Sequence, residues 1–111
     1  MMKKGIVRKG FKIEALDTPG LTLVQFRTEW SGACQIVSMI YDDLAKSYEG
    51  SARFFTVDME TEDYLVKEFG VTDTPTILFF QAGKIVDHAT GLIPKNILIS
   101  KIESALTIKN K

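Results

Sequence analysis

A chain of 111 residues, 45% of them apolar and 25% charged, has ordinary globular composition and a length near the commonest domain size. Its 14 basic and 14 acidic residues cancel, and no dense basic stripe is visible, which argues against a nucleic-acid surface. No stretch approaches the roughly 20 apolar residues that a membrane helix needs, and one cysteine excludes a disulfide framework.

The start, MMKKGIVRKGF, is basic but lacks an apolar run behind its charges, so it does not read as a signal peptide. Together with the lone cysteine this points to a reducing compartment, most simply the cytoplasm. We expect one domain over residues 1–111, with 1–10 and 107–111 loosely ordered. Asp17-Thr18-Pro19-Gly20 is a turn signal, and Leu21 to Arg27, LTLVQFR, reads as a strand with Gln25 as the polar intrusion in its centre. After the loop TEWSGACQ, Ile36, Val37, Ile40, Leu44, Ala45 and Tyr48 recur at helical spacing. The helix starts near Ser31, whose hydroxyl suits an N-cap, and Gly50 is its expected C-terminal cap.

Phe54 to Val57 is a short apolar strand. Glu62 to Phe69 reads as a short helix closed by Gly70, and Thr76 to Phe80, TILFF, as a buried strand. Gln81-Ala82-Gly83-Lys84 is a hairpin turn, with Gly83 free to take positive φ, and Ile85 to Thr90 returns beside it. Pro94 opens a last helix in which Ile97, Leu98, Lys101, Ile102, Ala105 and Leu106 recur. The order is strand, helix, strand, helix, strand, strand, helix. That predicts an α/β fold with a mixed central sheet of about four strands and helices on both faces.

Few residues carry chemistry. His88 is the only histidine, so no metal site of this chain's own is expected. Asp58, Glu60, Glu62 and Asp63 lack the spacing of a calcium loop and read as a solvated helix start. There is no glycine-rich nucleotide loop, and no cofactor is expected. Met39, Tyr41 and Tyr48 fit helix packing or surface better than a cofactor site. The loop TEWSGACQ leads into a helix N-terminus, whose unpaired N–H groups would activate a thiol most at Ser31, where the side chain is a hydroxyl; Cys34 sits about one turn further in. Two readings of Cys34 stand: a small buried hydrophobe, or a reactive monothiol.

The strand LTLVQF, the loop TEWSGAC, the strand FFTVD, the segment VTDTPTILFFQAGK and the later Gly91 together resemble the thioredoxin family, from about Phe11 to Leu106. The resemblance implies a thioredoxin-like fold with a cis bond between Thr74 and Pro75. It implies a shallow groove for an extended peptide, lined by Trp30, Gly32, Ala33, Thr74, Pro75, Gly91 and Leu92. The family's loop is Trp-Cys-Gly-Pro-Cys; here Ser31 takes the place of the attacking cysteine, Ala33 that of the proline, and Cys34 that of the resolving cysteine. Gln25 stands where the family keeps a buried aspartate, and Phe54 takes the place of a lysine often found near it. The family's N-terminal strand and helix look truncated. Disulfide exchange needs a thiolate and a second thiol to release product. The implied function is therefore a redox-silent or redox-weak, monomeric protein that binds protein segments, without membrane or nucleic-acid partners. The alternative is a thiol oxidoreductase acting through Cys34.

Overall fold

The computed structural model describes residues 7–9, as backbone, and 19–108. The apolar run read as the first strand is β2, Leu21–Arg27, with the predicted bounds. Its nearly unbroken burial has a topological cause. β2 lies inside the sheet, parallel to β3 (Ala52–Asp58) and antiparallel to β4 (Thr76–Gln81), and both of its faces are covered. Successive side chains alternate between two cores. Leu21 and Leu23 pack with α1 (Gly32–Ser47) and α3 (Lys95–Leu106), whereas Val24 and Phe26 pack with Leu65 of α2 (Asp63–Phe69).

The four expected strands, with β5 (Lys84–Thr90) antiparallel to β4, make the body of the sheet. A fifth, β1 (Val7–Lys9), pairs in parallel with β3 at the edge, so the order is β1-β3-β2-β4-β5. The N-terminal strand that the sequence suggested was truncated is thus present as three residues. The stretch expected to lack the helix after it, and Asp17 and Thr18 of the predicted turn, lie outside the described residues, as do most of 1–10 and 109–111.

The helix boundaries follow local chemistry, with one change. Ser31 is extended and its Oγ accepts the N–H of Cys34 at 3.2 Å, so it is the N-cap of α1. At the other end Tyr48 is the cap, its N–H donating to Leu44 O, and Gly50 sits two residues further on in the turn. Gly70 closes α2 in the left-handed conformation, as expected. The buried stripe of α1 is Cys34, Val37, Tyr41, Leu44 and Ala45; Ile36, expected in that stripe, is exposed. In α3 only Leu98, Ile102 and Ala105 are buried, Ile97 faces solvent and Lys101 pairs with Asp87 at 3.2 Å.

The β4–β5 turn puts both central residues at positive φ, Ala82 at 52° and Gly83 at 82°, where glycine alone was expected. That pair suits the right-handed twist of a hairpin, and the twist prevails over alanine's preference. Gln81 is buried because its amide donates to Ala105 O at the end of α3, tying the hairpin to the last helix. Among the described residues no helix is long and apolar enough to cross a membrane.

Candidate functional site

Strand register gathers the site. Phe26 of β2 faces Thr76 of β4, Thr76 faces Thr90 of β5, and Arg27 faces Asp58 of β3. The segments around Trp30, Glu60, Thr74 and Leu92 therefore all leave the sheet at one end, beyond the carboxyl ends of the parallel strands β2 and β3. That is where open α/β sheets place their binding crevices.

Trp30 stands out from this end, 82% exposed. Its indole N–H donates to Glu60 Oε2 at 2.8 Å. The bond fixes the indole against the β3–α2 loop while leaving it in solvent. Opposite, the Thr74–Pro75 bond is cis. Pro75 O accepts the N–H of Gly91 at 2.8 Å, and Thr76 Oγ1 donates to Asp73 O at 2.8 Å, so both neighbours of Thr74 are tied down. Thr74 is half-buried, and neither its N–H nor its C=O has a partner among the described residues. Gly91 sits at φ 83°, and a Cβ built on it or on Gly32 would meet nothing within 4 Å. Gly91 is thus required by backbone conformation, and the space above both glycines is open. Leu92 is exposed beside Gly91.

Beneath the loop the chemistry is neutral. Cys34 is wholly buried, at 0% exposure, on the core stripe of α1. Gln25 is also buried, at 1%. Its Nε2 donates to Ser38 Oγ at 3.1 Å and its Oε1 accepts Thr56 Oγ1 at 3.2 Å. The register pairs Gln25 with Thr56, while Phe54 pairs with Leu23. The residue directly opposite Gln25 is therefore Thr56. Phe54 points to the same face two residues earlier and meets Tyr41 edge-on, ring centroids 5.1 Å apart. Neither Ser38 nor Thr56 is ionisable, so an amide and two hydroxyls, with the Phe54 ring beyond them, stand where the family resemblance implies a lost carboxylate and a lost lysine. Ser38 was legible, since it is four residues after Cys34 and so on the same helix face; Thr56 needed the register, and Glu60 needed the tertiary fold.

Tyr41 underlies this network. It is fully buried, and its hydroxyl lies 2.9 Å from Leu23 O and 2.7 Å from Phe55 O, bridging β2 and β3. Burial pushes its pKa well above the ordinary 10.0, only partly opposed by its backbone hydrogen bonds. Among the described residues no three His, Cys, Asp or Glu side chains are grouped to hold a metal ion.

A burial of this degree makes a direct expectation for the thiol. Iodoacetamide will label Cys34 in denaturant but only slowly in native buffer, as read by intact mass. The thiolate must reach the reagent, and 0% exposure denies it. Native labelling at the rate of a free thiol would instead mark Cys34 as a reactive monothiol. Because the chain has one cysteine, it forms no internal disulfide and lacks the dithiol pair of a disulfide oxidoreductase.

The comparisons with known proteins agree with this architecture. A thioredoxin from Chlorobaculum thiosulfatiphilum is 33% identical over 95 residues, 86% of this chain and 88% of its own. One from Rickettsia felis is 29% identical over 105 residues, 95% of this chain and 100% of its own. In structure, a variant thioredoxin of Halobacterium salinarum superposes with a TM-score of 0.85 at 21% identity, covering 99% of each chain. The thioredoxin of Malassezia sympodialis gives 0.82 at 20% identity, covering 96% of each. The thioredoxin family model matches residues 4–104. The chain belongs to the thioredoxin family.

Proposed function

We propose that this protein binds extended protein segments in the groove between Trp30 and the Thr74–Gly91 wall and does no disulfide exchange of its own. One observation carries the reading: the unpartnered N–H and C=O of Thr74, held rigid by the bonds at Thr76 and Pro75. Backbone N–H and C=O groups require hydrogen-bond partners, and an extended partner strand supplies both a donor and an acceptor in place of water. Trp30 contributes a flat apolar wall opposite, and Leu92 a second apolar contact. With Ser31 unable to form a mixed disulfide, affinity comes from these contacts alone. A segment this short buries little area, and we expect a Kd of about micromolar or weaker. On this reading the chain acts as a single-domain monomer in the cytoplasm, without cofactor, metal, membrane or nucleic-acid partners. The thiol oxidoreductase alternative is disfavoured by the burial of Cys34.

The test is a pull-down from native lysate followed by amide shift mapping with the recovered partner. We expect shifts at Trp30, Thr74 and Gly91, and weakening by about 2 kcal/mol or more in Trp30→Ala, as for a central aromatic anchor. Shifts confined to the helix face around Lys101, with Trp30 and Thr74 silent, would show that the groove is not the binding surface.

A further inference from the structure

The chain as a whole is neutral, but the charged side chains described at the end proposed for the groove are mostly acidic. Glu29 adjoins Trp30, Asp73 adjoins Thr74, and Glu60 holds the indole. Asp58, Glu62 and Asp63 lie on or beside the same β3–α2 loop. Among the side chains described, Arg27, at the end of β2, and Lys95, at the start of α3, stand against them; the backbone of β1 also ends at this end of the sheet, on Lys9, opposite Thr56. Lys95 is already engaged, 3.8 Å from Asp43 on α1. Arg27 is half-buried with its Nε sealed from solvent, and its charge acts on Asp42.

None of the six acids has an ion-pair partner among the described residues. The hydrogen bonds they do make organise the loop without cancelling charge. Asp58 Oδ1 accepts the N–H of Glu60 at 2.8 Å, Glu62 Oε2 that of Asp58 at 3.3 Å, and Glu60 the indole. An exposed tryptophan, an open backbone pair and six carboxylates without ion-pair partners among the described residues therefore lie at one end of the sheet. From Gly32 an apolar stripe continues along the exposed side of α1 through Ile36 and Met39, at helical spacing.

From this charge complementarity we infer that the segment which docks beside Trp30 is basic: an extended stretch with an apolar centre flanked by lysine or arginine. This rests on the groove reading above and adds the chemistry of the partner. Rim charges of one sign steer the encounter and select against partners of the same sign. A cation also finds an aromatic face at Trp30.

Trp30 is the chain's only tryptophan, so its fluorescence reports the site directly. Three synthetic peptides with one shared apolar centre, flanked by lysines, serines or glutamates, are titrated against the full chain, with amide shifts as a second readout. The lysine-flanked peptide is expected to bind about tenfold or more tighter than the glutamate-flanked one at ~10 mM salt, and most of that margin to vanish near ~1 M. Glu29→Gln combined with Asp73→Asn should shrink the margin between the lysine- and glutamate-flanked peptides, and a margin unchanged by it overturns the acidic rim as its source. Equal binding of all three peptides at Trp30 and Thr74, or a preference for glutamate, overturns the basic partner while the groove stands. Binding of none, or shifts that avoid Trp30 and Thr74, overturns both.

Discussion

Wild-type protein mixed with insulin and dithiothreitol will leave disulfide reduction at its uncatalysed rate, read as turbidity of the precipitating chain. The reaction starts with a thiolate attacking a disulfide sulfur, and a second thiol must then displace the product. Among the described residues Ser31 Oγ has no general base in hydrogen-bond contact; it accepts the Cys34 N–H instead. Cys34 is buried beneath it. Ser31→Cys places a thiol at a helix N-terminus, where the peptide dipoles favour the thiolate. We expect that variant to close a disulfide with Cys34, seen as the loss of two hydrogens by mass, and to reduce insulin slowly. The remaining deficit sits at Gln25, an amide that can neither take nor give a proton to the chemistry above it. Adding Gln25→Asp should raise the rate of the Ser31→Cys protein on the order of 10²-fold, the lower range for a positioned acid or base. The same aspartate is buried among neutral partners, so the double variant will be less stable above its carboxyl pKa than below it. Wild-type catalysis at the level of the Ser31→Cys variant would refute the redox-silent reading.

Tyr41→Ala will be the most destabilising single change at this site, costing about 3–5 kcal/mol in urea unfolding, as deletion of a buried ring does. The ring fills the space between α1 and Phe54, and the hydroxyl ties the helix to two strands. Tyr41→Phe separates the two contributions and should cost about 1–2 kcal/mol by leaving the strand carbonyls without their shared donor. The hydroxyl also sets a pH dependence. Its pKa in the folded protein is raised above the 10.0 of the unfolded chain. Its contribution is therefore complete below about pH 10 and is lost as pH rises through and above it, because unfolding then releases a proton that the fold retains. Tyr48 acts in the same direction. Desolvation, followed by its 2.6 Å hydrogen bond to Glu103, pushes its pKa up to about 12. The stability gap between wild type and Tyr41→Phe should be constant from pH 7 to about 9 and narrow above 10. A gap that stays constant to pH 11 would mean that Tyr41 ionises in the fold as easily as in water.

The sequence by itself determined what depends on neighbours along the chain. An apolar run after a turn marked β2 to the residue, Ser31 before a helical period marked the cap of α1, and Gly70 marked the end of α2. One cysteine decided that no internal disulfide forms. What needed the tertiary structure was every question of who stands opposite whom. Side chains in a strand alternate, so the residue opposite Gln25 depends on the β2–β3 register, and that register names Thr56. Ile36 is more apolar than Tyr41, and a periodicity weighted by hydrophobicity favours it for the core. Tyr41 is buried instead because carbonyls from two strands satisfy its hydroxyl, while the position of Ile36 on the helix faces water. Trp30 meets Glu60 thirty residues on, and the acidic rim gathers carboxylates from three separate loops. Carboxylates spread along the chain meet at one end only when the strands align, because electrostatic fields add over distance in space and not over distance in sequence.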